Sequence, residues 1–184
     1  MMQENLIKLY ENSFRDNGEL PALTDYFKEE TFSYHDMARE IAKLHLLFQK
    51  CGISKGDKIA LIGRNNPRWV ITYIATLTYG AVIVPILQDF PANDVNHIIK
   101  HSDSRLLFLG DNFWDIIHED EQPAIMAAFS LTDFHCMYEQ EGHSITDYMT
   151  DIERHFNERY PQGFKGDNIQ YADIPNGELC LLNY

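Results

Sequence analysis

The chain has little cysteine and few basic residues, and both shortages narrow its possible functions. Its three cysteines, Cys51, Cys136 and Cys180, are odd in number and far apart, which argues against a disulfide framework and excludes a Cys-x-x-Cys metal site. We therefore expect a cytoplasmic protein. Only 15 Lys and Arg stand against 28 Asp and Glu, for a net charge of −13. The sequence thus predicts no nucleic acid partner, because phosphate contacts need a clustered basic surface.

Long apolar runs and glycine-rich phosphate motifs are also missing. No stretch approaches the roughly 20 residues of a transmembrane helix, and the N-terminus has no apolar segment of signal-peptide length. Neither the Gly-x-Gly-x-x-Gly dinucleotide pattern nor the P-loop pattern occurs. With 184 residues, of which 45% are hydrophobic, the chain is nevertheless long enough to bury a substantial core.

The first part of the chain predicts a helix, a hairpin and a longer helix. Apolar residues at helical spacing indicate a leading helix over 4–16, and the runs 22–27 and 31–33 indicate a hairpin. Ser33 and Asp36 match a capping box that opens the second helix. An apolar stripe follows it as far as Gly52. The stripe consists of Tyr34, Met37, Ile41, Leu44, Phe48 and Cys51.

Three continuous apolar runs, separated by helical segments, predict the fold class. The runs 59–62, 81–84 and 106–109 have the character of strands covered on both faces. The segments between them, 68–79 and 92–102, predict helices. Strands that alternate with helices in this way predict an α/β fold with a doubly wound, mainly parallel sheet flanked by helices.

The pattern becomes less regular in the second half of the chain. Segments 112–118 and 124–129 predict short helices, 134–138 a strand, and 144–156 an amphipathic helix. Each of these predictions rests on a short stretch of sequence, so tertiary contacts have the greatest scope to override them.

The C-terminal segment predicts a strand that is cut in mid-element. Residues 161–177 are rich in Gly, Pro, Asn and Asp and indicate a surface connection. The apolar run 178–184 that follows ends without a cap, a turn or a polar tail. A natural terminus rarely leaves such an edge unprotected, so we expect a fragment whose exposed apolar surface allows self-association.

Several motifs admit a functional interpretation but favour a structural one. Lys55–Asp57 precedes the first parallel strand and indicates a turn. His97 and His101 are four residues apart on one predicted helix, yet no third metal ligand is evident. His118–Glu121 lacks the spacing of a calcium loop. No nucleophile motif accompanies the other histidines that stand near acidic residues, namely His35, His135, His143 and His155.

Two further features lie after the first parallel strand. Gly63–Pro67 falls at the edge where open parallel sheets bind ligands, and Arg64 is placed to reach an anion there. Asn66 before proline also fits the cap and first turn of a helix. That helix is apolar around much of its circumference, at Trp69, Tyr73, Ile74 and Leu77. It either lies between layers, lies beneath a further part of the protein, or borders an apolar substrate channel.

From about Thr31 to Tyr184, the chain resembles adenylate-forming (AMP-binding) enzymes. Thr31–Tyr34 and the helix after it look like the family's T-Y-x-E-L entry. Residues 52–85, with their Lys-Gly-Asp, Asn-x-Pro-x-Trp and Gly-Ala-Val-x-Val-Pro elements, are similar to long-chain fatty acid CoA ligases in particular. Leu181–Tyr184 resembles the strand that leads into the family's phosphate loop, Thr-Ser-Gly-Thr-Thr-Gly.

The resemblance implies that residues 1–184 are the N-terminal portion of an AMP-binding domain. Residues 1–33 would be a leading helix and hairpin, and 34–184 an α/β subdomain. The parent enzyme would use ATP, magnesium and coenzyme A to convert a fatty acid, through an acyl-adenylate, into acyl-CoA, AMP and pyrophosphate. No catalytic, cofactor-binding or metal-binding residue can be assigned within the chain, and we expect the fragment alone to be inactive.

Two alternatives stay open on the sequence. One is a fragment of another adenylate-forming enzyme, such as a peptide synthetase adenylation domain or an aryl-acid ligase. The other is a freestanding α/β binding or regulatory module in which Tyr184 is the true terminus. Residues after Tyr184 would separate all three possibilities.

Overall fold

In the computed structural model, which describes residues 5–184, strands and helices alternate along the middle of the chain. The elements are α1 (Leu6–Asp16), β1 (Pro21–Asp25), β2 (Glu30–Ser33), α2 (Tyr34–Lys50), β3 (Lys58–Ile62), α3 (Pro67–Tyr79), β4 (Val82–Ile86), α4 (Ala92–His101), β5 (Ser104–Leu109), β6 (Ala127–Ser130), β7 (Cys136–Glu139), α5 (Ile145–Thr150) and α6 (Ile152–Arg159). Short 3-10 helices lie at Asp111–Ile116, Glu119–Glu121 and Gly166–Asn168. Within the described residues, every helix is too short or too polar to cross a membrane.

Two hydrogen bonds hold the leading helix α1 to the 171–174 segment, one at its N-cap and one at its middle. The Asn5 side chain caps it by accepting hydrogen bonds from the amides of the first turn, and Asn5 Nδ2 donates to Ile174 O at 2.7 Å. Glu11, only 4% exposed, accepts from the Tyr171 amide at 2.9 Å. Burial alone would raise the pKa of Glu11, but the Tyr171 amide and the neighbouring Lys8 and Arg15 outweigh it and lower the pKa. The helix is confirmed from Leu6 onward, while residue 4 lies outside the described part of the chain.

The hairpin and the helix after it are confirmed. Strands β1 and β2 pair antiparallel, and Ser33 with Asp36 forms the expected capping box: Ser33 Oγ accepts from the Asp36 amide at 3.1 Å, and Asp36 Oδ2 from the Ser33 amide at 2.9 Å. Gly52, at a φ of +62°, lies in the turn after α2. The predicted stripe of α2 is buried except at Tyr34, which is half-buried.

The main sheet confirms the predicted fold class. Its strand order is β4-β3-β5-β6-β7, and every neighbouring pair except β6 with β7 is parallel. Side chains of the continuous apolar runs alternate between two cores. Ile59 and Leu61 of β3 join the core that contains α2 and α3, whereas Ala60 and Ile62 join the core that contains α4. The central strand is thus covered on both faces, as the runs predict.

Two helix predictions in the second half of the chain need correction. The predicted helix over 124–129 is wrong, because residues 127–130 form strand β6 beside β5. Phe129 there stacks on Phe108 at 5.0 Å between ring centroids, so packing on the sheet outweighs local preference. The helix predicted over 144–156 is two helices that meet at Asp151, whose φ of −98° and ψ of 14° end the first.

The predicted C-terminal strand, 178–184, forms only one bridge. Leu181 pairs in parallel with Ile83 of β4: the Ile83 amide donates to Cys180 O at 3.0 Å, and the Leu182 amide donates to Ile83 O at 3.0 Å. Beyond the bridge, Tyr184 Oη lies 2.8 Å from His101 Nδ1 on α4. The strand prediction is wrong in extent. Among residues 5–184 the segment has a strand neighbour on its β4 side alone, so only part of a ladder forms.

A close approach of two glycines joins the ends of β3 and β5. The Gly110 amide donates to Ile62 O at 3.0 Å. A Cβ atom placed on Gly63 would lie 3.2 Å from the Gly110 nitrogen and 3.0 Å from Leu131 Cδ1. The backbones therefore meet at a distance that no side chain on Gly63 allows without movement.

Helices α2 and α3 are joined by a histidine. His45 Nε2 lies 3.0 Å from Ala75 O and 3.1 Å from Thr78 Oγ1, and its ring packs against Tyr79 at 5.3 Å between centroids. Burial lowers the pKa of His45 to about 4, and the contact with Ala75 O offsets that shift only in part. His45 is therefore neutral in the folded protein at physiological pH.

We expect His45→Gln to reduce the acid sensitivity of folding. Between pH 6.5 and about 4, the unfolded chain binds a proton at His45 that the folded chain does not, so stability falls as pH falls across this window. The loss attributable to His45 is at most about 3 kcal/mol, and glutamine keeps a donor for Ala75 O without titrating. Urea unfolding followed by circular dichroism from pH 7 to 4 measures the slope of the unfolding free energy against pH.

The control is His143→Gln, at an exposed position, which should retain the wild-type slope. An unchanged slope in His45→Gln would contradict the conclusion that His45 is neutral in the folded protein.

We expect Gly63→Ala to destabilise the protein by about 1–3 kcal/mol, because the added methyl group crowds the Gly110 backbone. Gly177→Ala is the matched control, since a Cβ atom there meets nothing within 4 Å, and it should change stability by less than about 0.5 kcal/mol. Thermal and urea unfolding compare the variants. Equal stability of Gly63→Ala and Gly177→Ala would show that the backbones at Gly63 and Gly110 can move apart without loss of stability.

Candidate functional site

A polar crevice lies at the carboxyl edge of the parallel sheet. The chain leaves β3 toward β4 on one side, and β5 lies on the other side of β3. Such a point, where the strand order reverses between parallel strands, is where open α/β sheets bind ligands. The crevice, at the strand ends and beside the hairpin, has a volume of about 370 Å³. It is lined by Asp25, Lys28, Arg64, Asn66, Arg68, Gly110, Asp111, Asn112, Leu131 and Thr132.

The segment after β3 is built to start α3. Asn66 Oδ1 accepts from the Trp69 amide at 3.0 Å, Asn66 Nδ2 donates to Arg64 O at 3.1 Å, and Pro67 opens the helix. The structural interpretation of this segment is therefore confirmed. Arg64 itself is exposed. Within residues 5–184 it has no ion-pair partner, so its guanidinium is available to an anion.

A second arginine holds the hairpin against the crevice. Arg68 donates to both carboxylate oxygens of Glu30, at 2.9 and 3.1 Å, and its guanidinium lies 5.4 Å from the centre of the Phe32 ring. This paired geometry fixes β2 beside α3. Lys28, at the tip of the hairpin, lines the same crevice. The crevice therefore has one arginine engaged in structure and two cationic side chains, Lys28 and Arg64, that lack an ion-pair partner among residues 5–184.

The opposite wall of the crevice is acidic and internally bonded. Ser130 Oγ donates to Asp111 Oδ1, and Thr132 Oγ1 donates to Asp111 Oδ2 at 3.1 Å. These contacts tie the segment after β5 to the segment after β6. Sequence reasoning missed all three residues. Ser130 ends, and Thr132 follows, a strand that the sequence does not predict, whereas the position of Asp111 just after a predicted strand was a usable signal.

Lys55–Asp57 forms a structural turn at the other edge of the sheet. Gly56 has a φ of +86°. Asp57 Oδ2 accepts from the Ser54 amide at 2.8 Å and from Arg105 Nη1 at 2.9 Å. The predicted turn is confirmed, and Asp57 Oδ2 holds two of its neighbours.

The histidines form no metal site in the described part of the chain, where no group of three or more His, Cys, Asp or Glu side chains could hold an ion. The rings of His97 and His101 stack at 5.5 Å between centroids, and His101 contacts Tyr184 rather than a metal ligand. His135 Nδ1 lies 2.5 Å from Asp133 Oδ1. Burial raises the pKa of the adjacent Cys136 thiol, which makes it a poor nucleophile.

The apolar helix α3 lies between layers. Ile74 and Leu77 are buried, and both belong to the core that contains α2 and one face of the sheet. Trp69 and Tyr73 are half-buried and stack at 5.5 Å. The layered interpretation therefore accounts for the apolar circumference of α3. The substrate-channel interpretation stays a prediction.

The family match and the similar proteins agree on one family of enzymes. The sequence matches the AMP-binding enzyme family over residues 10–169. It is 30% identical over 132 residues to a crotonobetaine/carnitine--CoA ligase of Proteus mirabilis, a match that covers 70% of this chain and 25% of that protein. It is also 30% identical over 80 residues to long chain acyl-CoA synthetase 3 of Arabidopsis thaliana, covering 44% of this chain and 12% of that protein.

A solved structure agrees on the fold. The anthranilate CoA ligase AuaEII, in complex with anthranoyl-AMP, superimposes with a TM-score of 0.74 at 15% sequence identity, covering 100% of this chain and 32% of that one. The chain spans about a quarter of the length of the Proteus ligase it matches. Because the family match includes most of the chain and the fold agrees, the chain belongs to the AMP-binding enzyme family.

Proposed function

We propose that this chain is the N-terminal part of a cytoplasmic acyl-CoA ligase whose substrate is a long-chain fatty acid. The family assignment and the two ligases at 30% identity support a ligase. The long-chain substrate rests on the likeness of residues 52–85 to that subgroup and on the long chain acyl-CoA synthetase among the relatives. The division into a leading helix and hairpin, 1–33, and an α/β subdomain, 34–184, belongs to the same proposal.

The observation that carries the proposal is the parallel bridge between Leu181 and Ile83. A segment parallel to β4 runs toward the carboxyl ends of the sheet, so residues after Leu182 arrive at the edge that holds the crevice. The family resemblance implies that a phosphate-binding loop follows this segment directly. The described residues thus act as a scaffold that delivers the loop to the ligand-binding edge.

ATP, magnesium, coenzyme A and the fatty acid are proposed for the whole enzyme. Within residues 5–184, no group of three or more His, Cys, Asp or Glu side chains could hold a metal ion, and the sequence has neither the dinucleotide nor the P-loop phosphate motif. We therefore assign no catalytic step to these residues, and we propose that residues 1–184 alone do not form an acyl-adenylate.

The activity test starts by reading the coding sequence past the Tyr184 codon and expressing the protein it encodes. We expect a Thr-Ser-Gly-Thr-Thr-Gly continuation and carboxylate-dependent exchange between ATP and pyrophosphate. Hexadecanoate should give a kcat/KM at least tenfold above octanoate, crotonobetaine and anthranilate. Residues 1–184 alone serve as the inactive control. A stop codon after Tyr184 would refute the ligase, and preference for another acid would refute the long-chain substrate alone.

The scaffold role is tested by Leu182→Pro in the longer protein. Proline removes the amide that donates to Ile83 O, so the segment no longer pairs with β4, and we expect the exchange rate to fall at least tenfold. Leu182→Val is the matched control, because it keeps the amide and an apolar side chain. Circular dichroism should show the same helix content in both variants. Full activity in Leu182→Pro would show that the bridge does not position the loop.

A further inference from the structure

A second cavity, of about 460 Å³, lies at the edge of the sheet opposite the crevice. Lys58 and Val82, which line it, are the first residues of β3 and β4, and they face each other in the parallel register. The cavity is bounded by α1 on one side and by the 174–180 segment on the other. It lies at the amino ends of these strands, whereas the crevice lies at the carboxyl ends.

The cavity has an apolar wall that opens to solvent. Ile174 and Leu77 are buried within it, while Leu6, Leu9 and Leu179 line it at 48%, 49% and 58% exposure. Three half-exposed leucines around one opening are unusual for a surface of net charge −13. The volume falls within the range of about 300–1,000 Å³ that holds small organic ligands.

The charged side chains at the cavity favour a ligand that carries a negative charge. Lys58 is half-buried and has no ion-pair partner in the described part of the chain. Lys55 also lines the cavity, where it pairs with Glu178 at 3.0 Å. Two cations and one carboxylate therefore surround an apolar cavity on a protein that is otherwise strongly acidic. An apolar ligand with a negatively charged head group matches both the apolar wall and the excess of cationic side chains. Such a head group would stabilise the charge of a half-buried lysine that has no ion-pair partner.

We propose that this cavity binds a fatty acid, with its chain against the leucines and its carboxylate at Lys58. The site lies at the amino edge of the sheet, beside the first residues of β3 and β4. A fatty acid bound there would contact both α1 and the 174–180 segment, which leads into the Leu181 bridge. The positions of these two segments would therefore depend on the concentration of free fatty acid. This inference stands on the cavity alone and does not depend on the proposed enzyme activity.

The test measures binding of dodecanoate and dodecanol to residues 1–184 by titration calorimetry, below their micelle concentrations. We expect one dodecanoate per chain. Lys58→Met should weaken dodecanoate at least fivefold and leave dodecanol unchanged, whereas Glu178→Gln, which frees Lys55, should tighten dodecanoate by twofold or more. Leu179→Asp should weaken both ligands at least tenfold. The control, Leu87→Asp, changes a leucine that is 64% exposed and lies outside the cavity, and it should bind both ligands like the wild type.

Three results would overturn the proposal. The first is an absence of saturable dodecanoate binding. The second is binding that Lys58→Met and Leu179→Asp leave unchanged, which would indicate non-specific adsorption. The third is a dimer, detected by light scattering, that Leu179→Asp dissociates and dodecanoate does not, because the leucines would then contact a second copy. Each result is independent of the exchange assay, so failure here and failure of the ligase proposal are distinguishable.

Discussion

Burial of β3 on both faces is the constraint on which the rest of the structure depends. The strand is paired on both sides, with β4 and β5, so its backbone is satisfied only when both neighbours are in place. Its four core residues alternate between two apolar layers. Helices must therefore cover both faces of the sheet, and the connections must cross from one face to the other. The crevice at the carboxyl edge is a product of that crossing, because β4 and β5 lie on opposite sides of β3.

The sequence predicts the elements that carry a strong local signal. The capping box at Ser33 and the Asn66–Pro67 start of α3 are complete within four residues, and both are present in the structure. The central strands are predicted equally well, because a parallel strand covered on both faces is apolar along most of its length. The resemblance to AMP-binding enzymes, drawn largely from the same region, is confirmed by the family match over residues 10–169.

What the sequence does not predict depends on contacts between distant residues. Residues 127–130 are short and alanine-rich, and they become a strand because β5 offers an unpaired edge and Phe108 a ring to stack on. The Asp111 network follows from that strand, so it escapes prediction for the same reason. The amino-edge cavity also has no local signature. Its walls come from α1, from the first residues of two strands and from a segment about 170 residues after α1 begins.

The anchors of α1 bear on the order in which the chain folds. Strands β3, β4 and β5 lie within 52 residues of one another (58–109), so they assemble through contacts of short sequence separation. Helix α1 is held instead by Ile174 and Tyr171, at separations of 169 and 160 residues. On a ribosome, where a chain emerges from its N-terminus, α1 would thus leave the exit tunnel long before the two residues that anchor it. Until those residues emerge, Phe14 can already contact Tyr34 of α2, but the Asn5 and Glu11 side chains lack the backbone groups of Ile174 and Tyr171 that they bind in the folded chain.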